Sequence, residues 1–173
     1  DFIKISLLLL LALVLFTVNL GGYDLWPADE PRYGQVAWEM ISTGEYVLPH
    51  VNGQPYTEKP PLFFWLVAAL SYPVGDVTPW TTRLPSVAAG IITLTFTFLM
   101  ARRLFDSRTA LWTCLILITM QRFWWNSRFG QIDMTLTACL TVGLYAFLRF
   151  QEKRELRWLP LFYLAATLGL YAK

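Results

Sequence analysis

The chain has little of what most soluble active sites are built from: one histidine, two cysteines and a charged fraction of 15% across 173 residues. Cys114 and Cys139 each lie inside an apolar block, which excludes a disulfide framework or a cysteine-rich metal centre and makes both small buried hydrophobes. The lone His50 reads as a loop histidine. No glycine-rich phosphate loop follows a strand, so a soluble nucleotide site is not indicated. A net charge of +2 is too small to suggest nucleic acid as a partner.

What is abundant is apolar. The chain is 55% hydrophobic and 16% aromatic with a positive mean hydropathy, and its apolar residues come in long blocks between charged clusters. That pattern marks an all-α integral membrane protein. Residues 3–20 form the first expected span, long enough for about 30 Å of hydrocarbon. Gly21-Gly22-Tyr23-Asp24 lacks the small-x-small cleavage pattern, which favours a span over a signal peptide. Four further spans are expected at about 84–101, 109–125, 129–148 and 158–172. The block 62–74 is too short to cross and reads as an interfacial helix at about 61–75. The chain stops at Tyr171-Ala172-Lys173 within a hydrophobic stretch and reads as the N-terminal part of one longer catalytic domain.

Basic residues orient this set. Arg102, Arg103 and Arg108, then Arg149, Lys153, Arg154 and Arg157, fill two short connections that the positive-inside rule assigns to the cytoplasm. The long connection 21–83, the turn at 122–130 and Lys173 then share the outer face, with Trp124 and Trp125 at its aromatic belt. Within the long connection, Tyr33, Val36, Ala37, Met40 and Ile41 recur at helical spacing, opposite Arg32, Gln35 and Glu39. This predicts an amphipathic interfacial helix at about 30–43 that starts near Pro31 and stops at Gly44. Asn52-Gly53 predicts a tight turn folding residues 46–50 back toward Tyr56 and Glu58.

The charged residues of the outer face are the candidates for chemistry. Asp29 suits an N-cap, a general base, or both, since a carboxylate at a helix N-terminus stays ionised and oriented. Lys59 is either an anchor reaching phospholipid headgroups or a contact to a lipid phosphate, with Arg32 assisting through bidentate geometry. Glu58 is a candidate metal ligand. Asp133 inside an apolar block needs water or a cation, for which Arg128 is the neighbouring candidate. Lys173 is a second phosphate contact or an interfacial anchor. A transporter or lipid-binding protein would spread such charges over several depths. These cluster at one face, which favours an enzyme.

Asp29-Glu30-Pro31-Arg32-Tyr33, Pro49-His50-Val51-Asn52-Gly53 and Tyr56-Thr57-Glu58-Lys59-Pro60-Pro61-Leu62 together resemble the ArnT-like polyprenyl-phosphate-dependent glycosyltransferases, which are similar to the protein O-mannosyltransferases. The resemblance continues through Arg83-Leu84-Pro85-Ser86, the basic turn near Arg102, Asp133 and Ala172-Lys173. It implies a GT-C membrane fold of about five spans, with juxtamembrane helices in the first outer loop. It also implies an inverting transfer of sugar from a polyprenyl-phosphate donor to lipid A, another envelope glycan or a protein, at the periplasmic face of a bacterial inner membrane. By that resemblance Asp29 matches the catalytic acidic residue, Lys59 a donor-phosphate contact, and Glu58 a carboxylate that can ligate zinc or another divalent ion. Glu30, Arg32, Tyr56, Asp133 and Lys173 match polar positions of the cavity. The family's histidine partner for the metal and its soluble region would lie beyond Lys173.

Overall fold

The computed structural model describes residues 2–173, and it is helical almost throughout. Helices α1 (Phe2–Thr17), α2 (Asp29–Thr43), α3 (Leu62–Ser71), α4 (Pro79–Leu104), α5 (Ser107–Thr119), α6 (Gln121–Arg128), α7 (Ile132–Lys153) and α8 (Leu159–Ala172) follow in chain order. The strands β1 (His50–Val51) and β2 (Gln54–Pro55) form a minimal antiparallel hairpin between α2 and α3.

Local chemistry sets the main boundaries. Thr78 caps α4 reciprocally: its hydroxyl accepts from the Thr81 amide, and its amide donates to the Thr81 hydroxyl at 2.9 Å, with Pro79 filling the first helical position. α4 therefore begins five residues before the expected span at 84–101 and ends on Arg102 and Arg103, which favour a helix C-terminus. Asp106 caps α5 by accepting from the Thr109 amide at 2.7 Å. Gly44 closes α2 in the left-handed region, at φ 75°, and its N–H returns to the Met40 carbonyl.

The expected single span at 109–125 is two helices. The backbone turns extended at Met120, leaving α5 with 13 residues and starting α6 on Gln121-Arg122. The physical reason is the polarity of Gln121, Arg122, Asn126 and Arg128, which suits an aromatic, amphipathic helix at an interface rather than a continuation into hydrocarbon. α7 begins at Ile132, so Asp133 lies in its first turn and not within an apolar run as expected. A carboxylate there is favoured by the helix dipole.

Among the described residues, α4 and α7 are the two helices long and apolar enough to cross a membrane, while α1, α3 and α5 are shorter apolar helices. Large apolar side chains stand exposed along α1 (Leu7, Leu10, Val14), α7 (Leu140, Leu144) and α8 (Leu164, Leu170). Such continuous exposure is what lipid, and not water, tolerates. The inner faces build one cluster from Leu8, Ala12 and Phe16 of α1, Leu94 and Phe98 of α4, Cys114 of α5 and Met134 of α7. Both cysteines are free thiols. α4 and α6 approach so closely at Gly90 that a Cβ there would come within 2.7 Å of the Ser127 hydroxyl.

A second cluster underlies the candidate site. Tyr33, Val36, Ala37 and Met40 of α2 pack with Tyr56, with Phe63, Phe64, Val67 and Ala68 of α3, and with Ile132 at the start of α7. At the other end of the helical layer, the Arg103 guanidinium clasps Glu152, so the two basic connections are neighbours. Asp133 and Lys173 lie at the opposite end of α7 from that clasp.

Candidate active site

The site is assembled from the first two turns of α2, the segment between β2 and α3, the start of α7 and the end of α8. Successive residues of a helix point about 100° apart, so Asp29 shares a face with Arg32 and Tyr33 while Glu30 turns inward. Ala28, not Asp29, occupies the N-cap position, and it supplies no side-chain cap. The Asp29 carboxylate is therefore not committed to the backbone, contrary to the capping expectation. Its described partner is Arg32, an open ion pair at 3.9 Å with both side chains roughly half exposed.

Arg32 stands within electrostatic reach of Tyr56 and Glu58 as well as Asp29. Tyr56 is 5% exposed, packs edge-on against Phe64, and its hydroxyl has no hydrogen-bond partner among the described residues. The guanidinium thus interacts with the phenol through charge and dipole, without hydrogen-bond geometry. Glu58 is exposed and Lys59 half-buried, and among the described residues Lys59 makes no hydrogen bond or ion pair. Asp133 is paired with Lys173. Arg128, the expected partner of Asp133, points elsewhere: it donates to the Leu15 and Val18 carbonyls and so closes the C-terminus of α1.

Two residues that the sequence pattern treated as ordinary belong here. The periodicity puts Tyr33 on the apolar stripe of α2, and its ring does pack on Phe63 and Phe64, but its hydroxyl lies among charges. Burial, reinforced by Asp29 and Tyr56, pushes its pKa well up, so it remains a neutral donor beside the carboxylates. A tyrosine in place of phenylalanine on that stripe was the available signal. The same periodicity puts Glu39 on the polar face, yet it is 7% exposed. Its Oε1 accepts from Gln35 Nε2 at 2.7 Å and from the Asn52 amide at 2.6 Å, and its Oε2 accepts from the Gly53 amide at 3.1 Å.

Glu39 carries a pH dependence. Burial alone would raise its pKa, but the hydrogen bonds from Gln35, Gly53 and Asn52, with His50 nearby, hold it below the ordinary value of 4.5. Its stabilisation is therefore complete above 4.5 and is lost as pH falls through the lower folded value. Amide exchange at Asn52 and Gly53, corrected for intrinsic rates, should lose protection only on acidification below that range; protection unchanged there would contradict the assignment.

Behind the site lies a buried ion pair whose every valence is used. Arg83 is fully buried; its Nε and Nη2 fork onto Glu30 at 3.0 and 2.9 Å, and its remaining N–H groups go to the Leu20, Tyr23 and Asp24 carbonyls. Tyr23 lies under the guanidinium at 4.0 Å. Glu30 is 1% exposed and also accepts from the Trp26 amide at 2.8 Å and the Gly130 amide at 2.6 Å. Gly130 lies close against α4, where a Cβ would stand 3.2 Å from the Thr82 carbonyl, tighter than ordinary van der Waals contact. The pair binds the segment after α1, the start of α2, α4 and the α6–α7 corner into one frame. Glu30, expected in the cavity, is instead held in this frame and anchors the start of α2 beneath Asp29.

Glu58 has no companion ligands: among the described residues no three His, Cys, Asp or Glu side chains converge as a metal site.

The chain as a whole is similar to known proteins. Residues 58–173 match the family model described as dolichyl-phosphate-mannose-protein mannosyltransferase. The chain is 32% identical over 173 residues to an uncharacterized protein of Aquifex aeolicus, covering 98% of this chain and 34% of that protein. It is 32% identical over 174 residues to an undecaprenyl phosphate-alpha-4-amino-4-deoxy-L-arabinose arabinosyl transferase of Pseudomonas aeruginosa, covering 97% of this chain and 31% of that protein. The chain thus spans about a third of the length of the curated relatives it matches. The crystal structures of ArnT from Cupriavidus metallidurans, apo and bound to undecaprenyl phosphate, superpose with a TM-score of 0.89 at 27% identity, over 97% of this chain and 32% of theirs. The match of sequence and of helical arrangement establishes that the chain belongs to the dolichyl-phosphate-mannose-protein mannosyltransferase family, as an ArnT-like membrane protein.

Proposed function

We propose that the protein containing this chain is an inverting membrane glycosyltransferase that moves a sugar from a polyprenyl-phosphate donor to lipid A or another envelope glycan. It works at the extracytoplasmic face of a bacterial inner membrane, crossed by about five spans. The observation that carries this reading is the meeting, at one end of the helical layer, of the half-exposed Asp29 carboxylate with Arg32, which also lies within electrostatic reach of Tyr56 and Glu58, the residue next to Lys59. The solved relative bound to undecaprenyl phosphate supports the donor class.

In the reaction, Asp29 accepts the proton of an acceptor hydroxyl. The oxygen attacks the anomeric carbon opposite the phosphate, a new glycosidic C–O bond forms, and the bond to phosphate breaks with its electron pair left on the phosphate oxygen. Lys59 and Arg32 meet the charge that develops there. Tyr33, kept protonated by burial, offers its hydroxyl to a sugar or phosphate oxygen, and the Tyr56 hydroxyl, unpartnered among the described residues, lies beside it. Lys173 reaches a phosphate oxygen only by sharing itself with Asp133. No step is routed through a metal, because Glu58 would need ligands brought to it from elsewhere. A protein hydroxyl as acceptor is the second reading, favoured by the description of the matching family.

The test is transfer from a labelled polyprenyl-phosphate sugar in membranes holding the full-length protein. Lys59→Ala should raise KM for the donor roughly ten- to a hundredfold, as loss of a charged hydrogen bond does, with a smaller effect on kcat. A wild type inactive with every donor, or an unchanged donor KM in the variant, would remove the reading.

A further inference from the structure

The two halves of the site arrive on different pieces of chain. Asp29, Arg32 and Tyr33 stand on a rigid helix, whereas Tyr56, Glu58 and Lys59 stand on a strap that leaves α2 at Gly44 and does not rejoin a helix until Leu62. The strap's own structure is slight: two residues of β1 pair with two of β2, and the Tyr56 amide donates to the Pro49 carbonyl at 2.7 Å. A two-stranded hairpin of this size is not stable alone. Trp65 Nε1 of α3 ties down one side through the Tyr46 carbonyl at 2.8 Å.

Tyr56 and Val51 pack on the cluster between α2 and α3, and the turn itself is bonded to α2 through a single carboxylate. Asn52 and Gly53 both take left-handed backbone, at φ 53° and 72°, as a two-residue hairpin turn requires. That turn leaves two successive amide N–H groups without ladder partners, a geometry that binds anions. Both donate to Glu39, which lies beyond Tyr33 on the same helix that carries Asp29. Gln35 Nε2 holds the carboxylate in place from one turn earlier.

We propose that Glu39 is a positioning residue that fixes the spacing between the acid half of the site on α2 and the phosphate-binding half on the strap. It touches neither donor nor acceptor. Its effect passes through the turn to Tyr56 and Lys59, and so rests on the reading of Lys59 as the donor-phosphate contact.

The experiment uses the full-length protein and labelled polyprenyl-phosphate sugar, comparing Glu39→Ala and the milder Glu39→Gln, alone and combined with Lys59→Ala. Glutamine keeps the length but can accept only one of the two turn amides well, so it holds the strap partly if alanine fails to fold. Misplacing a reacting contact by about 1 Å costs up to roughly a hundredfold, so Glu39→Ala should lower kcat/KM for the donor by about ten- to a hundredfold and Glu39→Gln by less. With Lys59 already alanine, the same changes should have almost no further effect. Losses that multiply independently in the double variants would overturn the proposal, as would unchanged donor kinetics in Glu39→Ala. Amide exchange over Tyr56–Lys59 separates this from the functional reading. Should the wild type transfer no sugar, the function fails first; faster exchange in Glu39→Ala still supports the clamp, and unchanged exchange overturns it.

Discussion

Asparagine in place of Asp29 is expected to lower sugar transfer by about 10²- to 10⁴-fold, the usual contribution of a positioned base. The substitution keeps shape and hydrogen-bonding capacity but removes the basic oxygen that takes the acceptor proton. It should leave the fold intact, because the carboxylate is half exposed and its described partner is Arg32 at 3.9 Å. An exposed pair of that kind contributes at most about 1 kcal/mol. Donor affinity should change little, since Asp29 acts on the acceptor side. A direct comparison of kcat, donor KM and thermal midpoint for wild type and variant decides the point. Retention of more than about a tenth of wild-type kcat would remove Asp29 from the chemistry, because general-base loss is rarely so mild.

The largest effect on stability is expected from Arg83→Ala. It would strand the Glu30 carboxylate at 1% exposure with only the Trp26 and Gly130 amides and would release the Leu20, Tyr23 and Asp24 carbonyls. Removing one partner of a buried ion pair costs about 3–5 kcal/mol. Lysine at the same position offers three donors on a point charge in place of a five-donor fork, so Arg83→Lys should recover only part of the loss. Replacing both partners, as Glu30→Met with Arg83→Leu, should cost less than the sum of the single changes, because no unpaired charge remains buried. Unfolding of the detergent-solubilised full-length protein reads these differences. A loss below about 1 kcal/mol for Arg83→Ala would mean that water reaches Glu30 and that the frame beneath Asp29 is not closed.

Neither the position of Glu30 nor that of Arg83 follows from local sequence. Glu30 sits in the same short acidic motif as Asp29, and nothing in their composition separates a buried anchor from an open base. Only the helical rotation between neighbours, set against α4 on one side and solvent on the other, sends one inward and one outward. Asp133 shows the reverse case. Its apolar context suggested a nearby arginine, but Arg128 is occupied by α1 carbonyls and Lys173, forty residues on, takes its place. The Met120 break was likewise masked, because hydropathy averages smoothly over 109–125 while the backbone does not.

What the sequence determined by itself is what short-range physics controls. Apolar blocks required a helical membrane protein, the stripe of α2 and its glycine stop required a short amphipathic helix, and the spacing of the acidic and Glu58-Lys59-Pro60-Pro61 motifs carried the family resemblance. The tertiary structure alone decided which charges are committed and which are free. It closed Arg83 onto Glu30 across 53 residues, gave Glu39 to the turn at Asn52-Gly53, and left Asp29 and Lys59 open. The reason is physical: a buried charge must find partners wherever packing supplies them, and those partners are chosen by the meeting of distant helices rather than by neighbours along the chain.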